Sequence, residues 1–335
     1  MRIFLLTLYL LGQPLLAFPA PYSAPFWLPG GHLQTILAAT FVRAPLVDYH
    51  RERWELADGD FVDVDWVEAE KIDTNTPIVV VFHGLEGNSQ SAYAKSLMAA
   101  ARIKGWRGVV IHFRGCSGEP NRLPRVYYAG DTPEIQQLLL RVREGAPQAP
   151  IYAVGFSLGA NALLKWLGES GEQANSVITK AAAVSAPMDL AASATALDTG
   201  LNRLLYTPRF VDSMRPKALA MSARFPGLLD DEKIKSAKTI HDIDNAVTAV
   251  LFGAANADDY YAQNAAKPWL TLISLPTLIL NAKNDPFLPA ETLPSTEEVS
   301  ASVTLEYPET GGHVGFSGRD NWLAKHLLAF FDAAP

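Results

Sequence analysis

Ser157 stands between two glycines in Ile151-Tyr-Ala-Val-Gly-Phe-Ser157-Leu-Gly-Ala160, and two residues far downstream, Asp285 and His313, are of the types that could make it reactive. A serine hydroxyl is a poor nucleophile near neutral pH; it needs a base, usually histidine, which a carboxylate orients. Asp285 lies in Ala-Lys-Asn-Asp285-Pro-Phe and His313 in Gly311-Gly-His313-Val-Gly-Phe, so the chain order is Ser, Asp, His. Singly, an aspartate before proline is a turn former, and a histidine flanked by glycines is an ordinary loop residue. Their joint placement, each just after an expected strand, makes a nucleophile, an orienting acid and a base for acyl transfer through a covalent intermediate.

These residues need elements to hold them. An apolar run closes at Gly155 and helical spacing resumes from Ala160 to Leu167. That is a strand, a sharp turn and a helix. In such an elbow the serine backbone is strained, and the residues two before and two after it must be small because strand and helix nearly touch. Gly155 and Gly159 occupy those places. The developing oxyanion needs two preorganised donors. The expected pair is the Leu158 N–H, next to the nucleophile, and the Leu85 N–H, just past the strand ending at His83-Gly84, with Gly84 and Gly87 allowing the turn. His83 is upstream of the serine and is expected to brace that loop rather than act as the base.

The remaining elements follow from periodicity. Trp54 to Asp58 and Phe61 to Val67 flank Gly59-Asp60, and the second run alternates apolar with acidic residues, which reads as an antiparallel hairpin with one solvated face. Pro77 to Phe82, Gly108 to Phe113, the elbow strand from Ile151, Ala181 to Ser185, Pro276 to Asn281 and Val303 to Tyr307 read as core strands. Helical spacing from Tyr93 to Ile103, Thr132 to Arg143 and Trp322 to Phe331 separates or closes them. This pattern predicts an α/β fold with a mostly parallel, doubly wound sheet. From about 189 to 274 the chain is helix-like and far longer than a crossover, which predicts a cap over the sheet's C-terminal edge. Leu204, Leu205, Tyr206, Phe210 and Met214 are its candidates for a pocket wall.

With 335 residues, 49% of them hydrophobic, the chain can bury a large core. A net charge of -7 without a basic run excludes an electrostatic nucleic-acid footprint. One cysteine, Cys116, excludes an internal disulfide framework. No H-E-x-x-H, cysteine–histidine spacing or strand-linked G-x-G-x-x-G is present, so neither a metal nor a cofactor is expected. His32 reads as a loop residue, His112 as a satisfied core histidine, and His241 and His326 as surface or packing residues.

Taken together, Leu28-Pro-Gly-Gly-His-Leu-Gln-Thr, Phe82-His-Gly-Leu-Glu-Gly87, His112-Phe-Arg-Gly-Cys-Ser-Gly-Glu-Pro-Asn-Arg122, Gly155-Phe-Ser-Leu-Gly-Ala-Asn161, Asn284-Asp-Pro-Phe287 and Gly311-Gly-His-Val-Gly-Phe316 resemble the YheT-type α/β-hydrolases. The resemblance runs from about Phe26 to the last helix. It implies an α/β-hydrolase fold and a carboxylesterase that cleaves esters of short- to medium-chain acyl groups, with relatives acting on monoacylglycerols or transferring acyl groups to alcohols. It carries the family triad onto Ser157, Asp285 and His313. Ala160 departs from the pattern, standing where many members have a further glycine. A thioesterase or amidase would use the same triad, and a non-catalytic binding scaffold is the alternative of another class.

Met1-Arg2 and the apolar run to Leu11 look like the start of a signal peptide, but Gln13 and Pro14 interrupt the run and no A-x-A-like cleavage site follows. The expected division is an apolar extension, 1–24, and a hydrolase domain, 25–335, with its cap at about 189–274. The expected location is the cytoplasm, the alternative being membrane association or export through the apolar segment. The expected partners are a small acyl ester and, through that segment, a membrane.

Overall fold

A computed structural model describes residues 21–41, 44–316 and 321–334. Its sheet has eight strands: β1 (His50–Glu55), β2 (Phe61–Val67), β3 (Ile78–Phe82), β4 (Arg107–Ile111), β5 (Ile151–Phe156), β6 (Lys180–Val184), β7 (Thr277–Leu280) and β8 (Val303–Glu306). The order is β1-β2-β4-β3-β5-β6-β7-β8. The β1–β2 and β2–β4 pairs are antiparallel and the rest parallel. Strands β3, β5 and β6 are buried along their whole length, as strands covered on both faces are.

Helix α1 (Gly31–Thr40) precedes the sheet, and α2 (Ala92–Ile103), α3 (Thr132–Gly145) and α4 (Leu158–Ser170) connect its parallel strands. Between β6 and β7 come α5 (Leu190–Leu197), α6 (Gly200–Leu205), α7 (Thr207–Arg224), α8 (Asp231–Ser236), α9 (Ile240–Ile243), α10 (Ala249–Phe252) and α11 (Ala257–Asn264). Helix α12 (Trp322–Asp332) closes the chain. One face of the sheet packs Ile135, Leu138 and Leu139 of α3 with Leu163 and Trp166 of α4. The other packs Leu97 and Met98 of α2 with Leu327 and Phe331 of α12. The inserted helices have an apolar cluster of their own, built around Val211, Ile234, Ile243 and Tyr260.

Register explains where chemistry can occur. Phe82 of β3 pairs with Gly155 of β5, so the loop after β3 emerges beside Ser157. The chain leaves β3 towards one edge of the sheet and β5 towards the other. The gap between their C-terminal ends is a topological switch point, where α/β sheets bind ligands.

Two expectations do not hold. The acidic face of β2 is not solvated: Asp63 and Asp65 are buried, because Arg53 and Arg51 of β1 fork onto them and Ser89 and His112 also bind Asp65. The described chain packs onto the core from its start, with Tyr22 buried against Phe316 and Trp322 and the Ala24 N–H donating to Thr310 Oγ1 at 3.1 Å. The expected membrane contact is withdrawn. Among the described residues no helix is long and apolar enough to cross a membrane, and residues 1–20, on which that expectation fell, lie outside them.

Candidate active site

Strand β5 runs into Ser157, whose φ of 51° and ψ of -120° precede the first turn of α4. A non-glycine residue in such a conformation costs on the order of 1–3 kcal/mol and persists only where its surroundings enforce it. Here they do. A Cβ on Gly155 would lie 2.4 Å from Ala160 Cα, and one on Gly159 would lie 2.5 Å from the carbonyl oxygens of both Phe82 and His83. Both glycines are therefore required by close approach. Ala160 is fully buried against this turn.

His313 Nε2 lies 2.8 Å from Ser157 Oγ, and His313 Nδ1 lies 2.8 Å from Asp285 Oδ2. The Asp285 side chain is sequestered, that of His313 only 10% exposed. The other Asp285 oxygen accepts the Phe287 N–H at 2.8 Å, so both carboxylate oxygens are held. An ionised carboxylate can only accept. Nδ1 therefore carries the proton and Nε2 presents its lone pair to the serine. The Phe287 ring packs on His313 at 4.2 Å between centroids, and Tyr206, the N-cap of α7, packs on Phe287 at 4.7 Å. Asp189, just after β6, caps α5, accepting the Ala192 N–H at 3.0 Å.

The amides of Leu85 and Leu158 donate to no acceptor among the described residues, and both residues line the cavity with Ser157 and His313. Neighbouring donors in the loop are already used: Gly84 N–H on the Tyr93 hydroxyl at 3.0 Å and Glu86 N–H on the Tyr127 hydroxyl at 2.9 Å. The left-handed residue of this loop is Glu86, with φ 57°, and not either glycine. Gly84 and Gly87 are needed for space, since a Cβ would lie 3.0 Å from Ser157 Cβ or 2.6 Å from the Tyr93 hydroxyl. His83 is wholly buried, with Nδ1 2.8 Å from Gly84 O and Nε2 3.0 Å from the Phe113 amide. Nε2 must accept from that amide, so Nδ1–H donates. Burial pushes the ring's pKa down to about 3, and it is neutral.

A cavity of about 1880 Å³ opens beside Ser157, walled in part by Leu158, Leu197, Phe210, Met214 and Val247, and continues along α2 and α12. Of the five cap residues singled out in the sequence, Leu205, Tyr206, Phe210 and Met214 reach it, while Leu204 points to solvent. Sequence reasoning missed Glu86 and Phe287 although both lie within quoted motifs. It also left Asn161 unused, yet Asn161 is fully buried and ties α4 to the end of the cap through the carbonyl of Asn264 and the amide of Ala266, and to the loop before α3 through the carbonyl of Ala129. His112 and His326 are buried and paired, with Asp65 and Glu306 respectively, and His241 is half-buried beside Asp258. Among the described residues no three His, Cys, Asp or Glu side chains could hold a metal ion.

The family described as alpha/beta hydrolase fold matches residues 77–320, nearly the whole span from β3 to the last helix. The chain belongs to that family. Among alpha/beta hydrolases it is 41% identical over 289 residues to an Escherichia coli (strain K12) protein named "Putative esterase YheT", covering 86% of this chain and 84% of that one. It is 30% identical over 301 residues to human Phospholipase ABHD3, covering 88% and 73% of the two chains. Solved structures agree in fold alone: Est1E from Butyrivibrio proteoclasticus with bound ferulic acid, TM-score 0.53 at 13% identity over 84% of this chain and 96% of that one, and an esterase from Exiguobacterium antarcticum, TM-score 0.53 at 18% identity over 86% and 100%.

Proposed function

We propose that this alpha/beta hydrolase is a serine esterase acting on small carboxylic esters of short- to medium-chain acids, with Ser157 as nucleophile, His313 as general base and acid, and Asp285 orienting the imidazole. The observation that carries the reading is the unbroken relay of two 2.8 Å contacts from Asp285 through His313 to Ser157. Ser157 Oγ attacks the acyl carbonyl as its proton passes to His313 Nε2, and the imidazolium donates from Nδ1 to Asp285. The carbonyl oxygen becomes an oxyanion facing the free amides of Leu85 and Leu158, groups that need no reorganisation at that moment. Collapse breaks the C–O bond, Nε2–H protonates the departing alkoxide, and an acyl-serine remains. Water, deprotonated by Nε2, releases the acid and restores the serine.

The names of the relatives, an esterase and a phospholipase, favour carboxylic esters over other acyl compounds. A fluorophosphonate probe should label Ser157, and a p-nitrophenyl ester panel of increasing chain length should be turned over. Labelling without ester turnover would move the reading to a thioester or amide, and no labelling would leave a binding scaffold. A cytoplasmic location is part of the same reading, supported by the single cysteine, Cys116, which leaves no disulfide to form within the chain. The same reading divides the chain into an apolar extension, 1–24, which meets the core through Tyr22, and a hydrolase domain, 25–335, with its cap at about 189–274.

A further inference from the structure

The stretch Leu28-Pro-Gly-Gly-His-Leu-Gln-Thr35 has no role in the chemistry above, yet its helix, α1, begins against the loops that carry Asp285 and His313. A Cβ on Gly31 would lie 1.8 Å from Asn284 O, one on Gly312 2.7 Å from Gly31 O, and one on Gly315 2.6 Å from Gln34 O. Nothing larger than hydrogen fits between these three segments. Gln34 is 1% exposed. Its Nε2 donates to Leu28 O at 2.9 Å, while its Oε1 accepts the Gly311 N–H at 2.8 Å and the Asn284 Nδ2–H at 3.0 Å. Thr35 Oγ1 donates to Gly31 O at 2.7 Å and accepts the His313 N–H at 2.8 Å.

The loop around the base has no strand ladder to hold it, and Gly312 and Val314 are left-handed, with φ 59° and 52°. Its four consecutive amides are instead each taken by one side-chain oxygen: Gly311 by Gln34, Gly312 by Asn284 at 3.0 Å, His313 by Thr35, and Val314 by Ser185 at 3.0 Å. Two of these four acceptors sit near the start of α1, and a third, Asn284, is itself held by Gln34 and adjoins Asp285. Helix α1 thereby fixes the base and the acid relative to each other.

We propose that Gln34 and Thr35 are positioning residues of the hydrolytic reaction, which hold the backbone of His313 so that its imidazole spans Asp285 and Ser157. The inference rests on the esterase reading. A displacement of about 1 Å of a reacting group can cost about a hundredfold in rate, and the His313 amide is where such a displacement would start.

Thr35→Val keeps the side chain's shape and removes the acceptor, whereas Thr35→Ser keeps the acceptor. The experiment measures ester kcat and KM, the second-order rate of fluorophosphonate labelling at Ser157, and the melting temperature, with wild type and Ser157→Ala alongside. Expected are a fall of about ten- to a hundredfold in kcat and in labelling rate for Thr35→Val with little change in KM, and recovery to within about threefold in Thr35→Ser. A valine variant that is less heat-stable but labels and turns over at the wild-type rate overturns the proposal, because the hydrogen bond is then only structural. A serine variant as slow as the valine one overturns it as well. If the valine variant does not fold, Thr35→Ala, where water can reach the freed amide, takes its place under the same criteria. Failure of the esterase reading is separate: it shows as a wild type without turnover, or a Ser157→Ala protein with it.

Discussion

Lys217 of the cap helix α7 and Glu86 of the loop after β3 form a 2.8 Å ion pair, with Ser213, one turn earlier, also donating to Glu86. Glu86 follows Leu85 directly, so the cap is tied to the loop that carries a proposed oxyanion donor. Lys217 is about half exposed and Glu86 12%, and water screens such a pair to about 1 kcal/mol or less. Lys217→Met should therefore lower kcat/KM by about two- to fivefold, and the difference from wild type should shrink in high salt. The control is Lys233→Met, whose pair with Asp230 is made within the cap. Equal effects of the two substitutions would show that the tie to Glu86 has no part in turnover.

The proposed triad predicts non-additivity. Ser157→Ala, His313→Ala and the double variant should all fall to a similar residual rate, because members that act as a unit fail together. Asp285→Asn keeps the shape but offers His313 a donor in place of an acceptor, favouring the wrong tautomer, and should cost about 10⁴-fold in kcat. Steady-state rates on one p-nitrophenyl ester check all four. A double variant clearly slower than either single, or a mild Asp285→Asn, would contradict the assigned roles.

The sheet was legible because burial on both faces writes itself locally: β3 and β5 are short apolar runs, rich in Val and Ile and closed by glycine, which separates them from a buried helix. The elbow was legible because its tight turn admits only glycine at 155 and 159. What lay over β2 was not legible. Alternation of Val and Asp says that one face is polar, and it does not say that Arg51 and Arg53 will cover that face. The hold on His313 was hidden for a different reason. Gln34 and Gly311 are 277 residues apart, and no periodicity records a hydrogen bond between the start of a helix and a distant loop. Glu86 was not legible because nothing in its residue type foretells the left-handed backbone it adopts, with φ 57°.

The cap wall can be tested through acyl length. Met214 and Phe210 are half-buried and line the cavity, and each methylene of a bound acyl chain left without its apolar wall costs about 0.8 kcal/mol. Met214→Ala should lower kcat/KM about fivefold or more for the acyl length that reaches it, spare acetate esters, and move the optimum to a longer chain. The p-nitrophenyl series reads this directly. A profile reduced evenly at every length would mean that Met214 only packs the cap onto itself.

Stability should decline as pH falls, in two overlapping windows that begin at different pH values. His83 is neutral in the folded state with a pKa near 3, against an ordinary value of 6.5. Between those values the unfolded chain binds a proton that the folded chain refuses, so His83's contribution is complete above pH 6.5 and is lost as pH falls through the window, by up to about 1.4 kcal/mol per pH unit. For Asp65, burial alone would raise the carboxyl, but hydrogen bonds from Arg51, His112 and Ser89 outweigh it and hold it well below its ordinary 3.8. Its contribution is present above 3.8 and is lost only as pH falls below that. Urea unfolding at half-unit steps from pH 7.5 to 3 should give a slope that begins near 6.5 and steepens below 4. His83→Asn should reduce the slope all the way from 6.5 to about 3, whereas Asp65→Asn should remove only the steepening below 4. A wild type with level stability between pH 6.5 and 4.5 would show that His83 does not refuse the proton, and with it that the brace under the Leu85 loop is not a neutral imidazole.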